Sequence, residues 1–177
     1  MEELFSTGEI DLNDIEQVYS GLFLSLFTEF EILLEQLFLG LLDGSLTSLY
    51  RPVRKMKVSP SAECRTIVYS GKSYLDWLPY QDHTLKRAKR FFINGEPFCR
   101  LDGTQKGSLK DYHTIRNAIA HKSDAAKNRF DSLLSGLTLL PNEKKPPGYL
   151  RSKPSGGQTQ FEIIVIELRT AVRILCG

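Results

Sequence analysis

Near two-thirds of the way along the chain, the segment DYHTIRNAIAHKSDAAKNRF (residues 111–130) sets Arg116, Asn117 and His121 close together, with small apolar residues between them. The apolar spacing reads as a helix. On an α-helix each residue turns about 100°, so Asn117 and His121 share a face, whereas Arg116 and His121 are roughly 140° apart. Arg116 must reach round on its long stem, or the helix must open locally. Ala118 and Ala120 keep the surface between these groups low enough for a strand of RNA or another backbone to approach.

These residue types suit cleavage of RNA by its own 2′-hydroxyl. That reaction needs a group that exchanges a proton near neutrality, and imidazole, with an unperturbed pKa of about 6.5, is the natural side chain. It also needs a cation on the phosphorane. A guanidinium can engage two oxygens at once and stays charged at any working pH. Asn117 would orient the imidazole or the phosphate through its amide. No metal is needed, and His83, His113 and His121 have no carboxylate or cysteine at metal-ligand spacing. The competing reading is a structural helix histidine whose distance from an arginine is coincidental.

A second cluster lies in HTLKRAKRFF (residues 83–92), where His83, Arg87 and Arg90 share one face and Lys86 and Lys89 flank it. A charge run is commonly a solvated face. Beside a ribonuclease site, Lys86, Arg87, Lys89 and Arg90 would instead hold backbone phosphates, and their contribution would fall with salt. His113, four residues before Asn117, reads as a bystander or a supporting group. Tyr149 and Arg151, in GYLRS, read as solvent contacts of a loop.

The elements that position these groups are helical. From Asp11 to about Leu42 the pattern predicts one long helix, with Asp11 or Asn13 as cap and Gly44 as the left-handed exit. Its apolar stripe runs Leu12, Ile15, Val18, Leu22, Leu26, Phe30, Leu33, Leu37 and Leu41, with Phe23, Phe27, Leu34 and Phe38 alongside. So wide an apolar surface must be covered on two sides, by the rest of a bundle or by a second copy. Ser59 and Pro60 predict the start of a short helix ending at Gly71, and YLDWLPYQD reads as aromatic connecting chain. Asp82 would cap the basic helix, which the NGEP turn at 94–97 closes. LDGTQKG reads as a loop, with Ser108 and Asp111 as a capping box for the helix carrying Arg116. Ser123 predicts a break just after His121 and a further helix to about Leu134. Residues 141–160, rich in proline and glycine, read as a long surface loop without regular structure. Thr159 and Glu162 then box a last helix along Phe161, Val165, Leu168, Val172 and Leu175.

At 177 residues the chain fits a single domain, residues 1–177, and 41% hydrophobic with 25% charged residues excludes disorder and fibrous repeats. A formal net charge of +2 is too mild to indicate a nucleic-acid-coating domain, so local clustering must carry that case. Cys64, Cys99 and Cys176 are odd in number and scattered, which predicts a reducing, cytoplasmic setting. The acidic start predicts no secretion signal, and the most apolar run is shorter than the ~20 residues that cross a bilayer.

RNAIAH (residues 116–121) resembles the Arg-polar-x3-His signature of the HEPN superfamily (higher eukaryotes and prokaryotes nucleotide-binding). The similarity is sharp over six residues and loose over the rest, including the long apolar helix upstream. It implies an all-α helical bundle and a metal-independent endoribonuclease. It further implies a homodimer with two copies of the motif lining one cleft, often a toxin or an antiviral defence protein, with an antitoxin or other inhibitor as a possible partner. The roles carry over to Arg116, Asn117 and His121 only. Where some members have a tyrosine after the histidine, this chain has KSDA, so a stand-alone branch of the RiboL-PSP type is the closer resemblance. The alternative is a non-catalytic dimerisation module that binds nucleotide or protein through the same cleft.

Overall fold

Capping chemistry sets the starts of the four longest described helices in the computed structural model, which describes residues 2–56, 61–154 and 156–177. After α1 (Glu2–Ser6), the main-chain N–H of Asp11 donates to the Asp14 carboxylate at 3.2 Å and that of Asp14 to the Asp11 carboxylate at 2.8 Å, opening α2 (Leu12–Asp43). Gly44, at φ +88°, ends it in the left-handed conformation that glycine adopts without steric cost. Then follow α3 (Ser61–Tyr69), a single π-helical turn (Gln81–Leu85), α4 (Lys86–Phe91), α5 (Gly103–Ala120), α6 (Asp124–Leu133), α7 (Pro146–Arg151) and α8 (Gln160–Cys176). The chain is all-α: among the described residues the one β pairing is an isolated antiparallel bridge between Arg54 and Phe92. No described helix is long and apolar enough to cross a membrane.

Several boundaries differ from the sequence expectation, each for a local reason. The helix carrying Arg116 starts at Gly103 rather than Ser108, because Asp102 and Gln105 form the capping box: the Asp102 N–H donates to Gln105 Oε1 at 2.9 Å and the Gln105 N–H to Asp102 Oδ1 at 2.8 Å. Asp82 caps nothing; it lies within the π turn, where the Leu85 N–H donates to the Tyr80 carbonyl. Residues 141–160 are not an irregular loop, since a 3-10 turn (Pro141–Lys144) and α7 occupy half of them, with Pro146 at the first helical position, where its missing N–H is harmless. Thr159 and Glu162 box α8 as expected. The expected start at Ser59 and Pro60 lies outside the described residues.

By its contacts the chain divides into two compact units, Met1–Thr28 with Asp111–Glu167, and Glu29–Lys110 with Leu168–Gly177; α2, α5 and α8 each contribute a segment to both. In the first unit Ile15, Tyr19, Phe23, Phe27, Tyr112, Ile115, Phe130, Leu150 and Ile164 are buried. Tyr19 meets the edge of Phe161 at 5.8 Å, and the Tyr112 hydroxyl donates to Glu167 at 2.5 Å. In the second unit Phe38 is the hub, with the rings of Trp77, Phe92, Phe98 and Phe91 between 5.2 and 5.7 Å from its own. Trp77 and Tyr80, on the aromatic connecting chain, are core residues rather than linker.

On α2 Ile15, Phe30, Leu37 and Leu41 of the expected stripe are buried, together with Tyr19, Phe23, Phe27, Leu34, Phe38 and Leu42, so the residues expected alongside the stripe share its centre, while Leu12 and Leu22 are each 44% exposed. The stripe on α8 shifts similarly: Ile164, Leu168, Ala171 and Leu175 are buried.

Candidate active site

The C-terminal end of α5 brings the three motif residues together, and all lie in the first unit. Tyr112 and Ile115 bury the inner face of this helix, which turns Arg116, Asn117 and His121 outward; Arg116 and Asn117 are half-buried and His121 is exposed. His121 sits just beyond the last helical residue, its N–H still bonded to the Asn117 carbonyl at 2.9 Å. The chain then leaves the helix at Lys122, and Ser123 restarts it by accepting the Ala126 N–H at 3.3 Å to cap α6, as the sequence predicts.

The separation between Arg116 and His121 is bridged by the arginine stem. Arg116 Nη1 donates to Asn117 Oδ1 at 3.3 Å and lies 3.4 Å from His121 Nε2. A guanidinium N–H can only donate, so where this contact is a hydrogen bond Nε2 is its acceptor, the tautomer with the proton on Nδ1. Asn117 Nδ2 lies 3.4 Å from both ring nitrogens of His113. The result is a chain of contacts, His113 to Asn117 to Arg116 to His121, in which Asn117 joins His113 to Arg116 and Arg116 joins Asn117 to His121. Three described arginines are half-buried: Arg151 pairs with the carboxylate of Glu2 at 3.1 Å, and Arg87 lies on Trp77. Among the described residues Arg116 has the amide of Asn117 and the imidazole of His121 as partners and no carboxylate.

A cleft of about 330 Å³ opens beside His121. Its apolar lining is Ala118, Phe130 and Pro146; its rim carries Lys122, Lys127, Lys144 and Lys145, with Asp124 and Asp131 also present. Lys144 and Lys145 are brought there by the segment read from sequence as loop. That segment is anchored: Glu143 bonds back to the Leu140 N–H at 2.8 Å, and Tyr149 packs edge-on to Phe130 at 6.0 Å. Burial raises the Tyr149 hydroxyl above its ordinary value, with Asp111 and Glu167 adding to it. Arg151 donates to both carboxylate oxygens of Glu2 and stacks on Phe5 at 4.5 Å, so neither Tyr149 nor Arg151 is a solvent contact.

Lys86, Arg87, Lys89 and Arg90 belong to the second unit. Asp82, His83, Lys86, Arg87 and Arg90 line a hollow there of about 450 Å³. Arg87 is committed inward: its guanidinium stacks 4.3 Å from the Trp77 ring and donates to the Asp76 carbonyl at 3.2 Å, and desolvation lowers its pKa. Lys86, Lys89 and Arg90 are exposed. Trp77 in turn donates to Glu35 at 3.1 Å, a carboxylate that also accepts the Tyr69 hydroxyl at 2.6 Å and lies 3.3 Å from Arg65. No sequence signal pointed to this half-buried use of Glu35, because a carboxylate on an apolar helix reads as a solvent-facing position.

Sequence reasoning also missed the four lysines beside His121. KK between two prolines in PNEKKPPG was the available signal, but nothing in it tells which surface the turn faces. No protein-family model, curated protein or solved structure matches the chain.

Proposed function

We propose that the chain is a metal-independent endoribonuclease of the HEPN type that cleaves RNA by attack of the 2′-hydroxyl on the adjacent phosphate. His121 moves the proton, taking it from the 2′-hydroxyl or giving it to the departing 5′-oxygen. Arg116 neutralises the non-bridging oxygens as charge builds on them, and Asn117 holds the guanidinium beside the imidazole. The observation that carries this reading is the placement of the Arg116 guanidinium 3.4 Å from His121 Nε2, at an exposed helix end and, among the described residues, without a carboxylate partner. In this scheme two copies pair in the cytoplasm so that their motifs share a substrate, and the activity serves as a toxin or antiviral defence that a bound inhibitor protein holds in check.

Purified protein incubated with mixed RNA in excess chelator is expected to yield fragments ending in 2′,3′-cyclic phosphate and 5′-hydroxyl. His121→Ala and Arg116→Ala should each lower the rate by about a hundredfold or more, the scale of losing an acid–base group or an oxyanion contact. RNA that binds but is never cut would select the non-catalytic nucleotide-binding module, and a sedimentation profile of monomer with full activity would remove the composite site.

A further inference from the structure

The cleft beside His121 combines properties that the motif alone does not predict. Its volume of about 330 Å³ falls at the lower end of the range for sites that take one small ligand. Four lysines converge on it, and among the described residues none of their ammonium groups has a hydrogen-bond or ion-pair partner. Asp124 and Asp131 line the same cleft without pairing with them. Surface charges of opposite sign usually sit interspersed, so unpaired cations gathered round an apolar floor leave a local positive field that favours an anion with an apolar body. The backbone beneath Lys144 and Lys145 is fixed before any ligand arrives, since Gly148 packs directly on the Asn142 carbonyl and Tyr149 on Phe130. Ordering the ligand is then the chief entropic cost of binding.

Resting on the ribonuclease reading, we propose that this cleft seats one nucleotide of a single-stranded RNA next to the phosphate that His121 and Arg116 address. Lys122, Lys127, Lys144 and Lys145 hold its flanking phosphates, and the Ala118, Phe130 and Pro146 floor receives the base. A cleft of this size admits one unstacked nucleotide, which a single strand offers and a duplex does not.

The test uses full-length His121→Ala protein, so that binding is read without turnover, and a fluorescently labelled single-stranded oligoribonucleotide followed by anisotropy across a salt series. Lys144→Ala with Lys145→Ala is expected to weaken binding about tenfold and to make the salt slope shallower by about 1.4, the value for two lost phosphate contacts on a single strand. Lys122→Ala with Lys127→Ala should act alike, Asp131→Asn should tighten binding, and Lys72→Ala, an exposed lysine of the other unit, should do neither. Affinity and slope unchanged in both lysine pairs, or no binding by the parent protein, would overturn the assignment. Cleavage by the wild type with both lysine pairs indifferent sinks this inference alone, whereas lysine-dependent binding without any cleavage sinks the ribonuclease reading alone.

Discussion

Gly148 offers a direct measure of how far the turn at 141–145 depends on close main-chain contact. A Cβ added there would lie 1.9 Å from the Asn142 carbonyl oxygen, 2.9 Å from its carbon and 3.2 Å from Glu143 Cα. All three atoms are backbone, so no change of rotamer relieves the clash. The oxygen would have to retreat by about 1.5 Å to reach ordinary contact, which begins at 3.4 Å, and that separates the turn from α7. Overpacking of this kind costs ~2–3 kcal/mol when the neighbours are rigid. In a chain of this size each kcal/mol lowers the unfolding temperature by about 2–4 °C, so Gly148→Ala should melt some 5–10 °C lower in a circular dichroism scan. The same substitution at Gly21 is the control. That glycine sits inside α2 with nothing within 4 Å of the added carbon, and alanine there should stabilise by ~0.5–1 kcal/mol through its helix propensity. Because Lys144 and Lys145 ride on the displaced turn, Gly148→Ala should also weaken RNA binding as the lysine pair does. Equal melting of the two variants, or a Gly148→Ala protein as stable as wild type, would refute the close-packed turn.

Burial and the Glu2 carboxylate push the Tyr19 hydroxyl up to about 12 from 10, and burial and Glu35 do the same to Tyr69. The folded state therefore holds these protons more tightly than the unfolded chain does. Their stabilisation is whole below pH 10 and drains as pH rises through 12, so replacing both with phenylalanine should flatten the alkaline limb of a stability profile. At the acid end, burial raises the Glu2 carboxyl, but hydrogen bonds from Arg151 and Tyr19 outweigh it and leave it below 4.5. That contribution is present above 4.5 and is lost as pH falls through the depressed value. Arg151→Ala should remove it, read as a shallower acid limb in urea titrations. Nitrogen-15 NMR of wild-type protein should show His121 with its proton on Nδ1, mixed tautomers appearing in Arg116→Ala; a wild-type proton on Nε2 would contradict the Arg116 contact.

Periodicity carried α2, α5 and α8 because each has a buried face, and the break after His121 was legible because Ser123 is a strong cap. On α2 it ran the main stripe through Leu12 and Leu22, which are exposed, although Ile15, Phe30, Leu37 and Leu41 of the same stripe are buried. Leucine and phenylalanine on adjacent stripes are equally apolar, and only the neighbours decide which is covered. Residues 141–160 were misread because proline marks both loops and the first turn of a helix, and Pro146 is used in the second way. Within the motif, the sharing of a face by Asn117 and His121 follows from helix geometry alone. The reach of Arg116 round to Nε2 does not, since it depends on side-chain torsions that the backbone leaves open, and neither does the arrival of Lys144 and Lys145, which requires the tertiary fold.

The contacts of Arg116 set it apart from the better-bonded arginines, and under the proposed reaction that difference would matter to a phosphate. Arg65, Arg100 and Arg151 each face a carboxylate between 2.7 and 3.3 Å, so their charge is already answered. Arg116 makes two contacts to neutral groups at 3.3 and 3.4 Å, longer than the ~2.7–3.2 Å of well-formed hydrogen bonds. Well-formed bonds from an ionised donor contribute about 1.5–3 kcal/mol and these, being long, contribute less, whereas a phosphate oxygen brings a charge on the acceptor side as well. In the proposed reaction, exchanging the amide and the imidazole for two phosphate oxygens would therefore be downhill, and the same exchange would free His121 Nε2 to accept a proton. An incoming phosphate would in this way both engage the guanidinium and free the imidazole, whereas a carboxylate at the position of Asn117 would hold the arginine back and leave Nε2 without its donor.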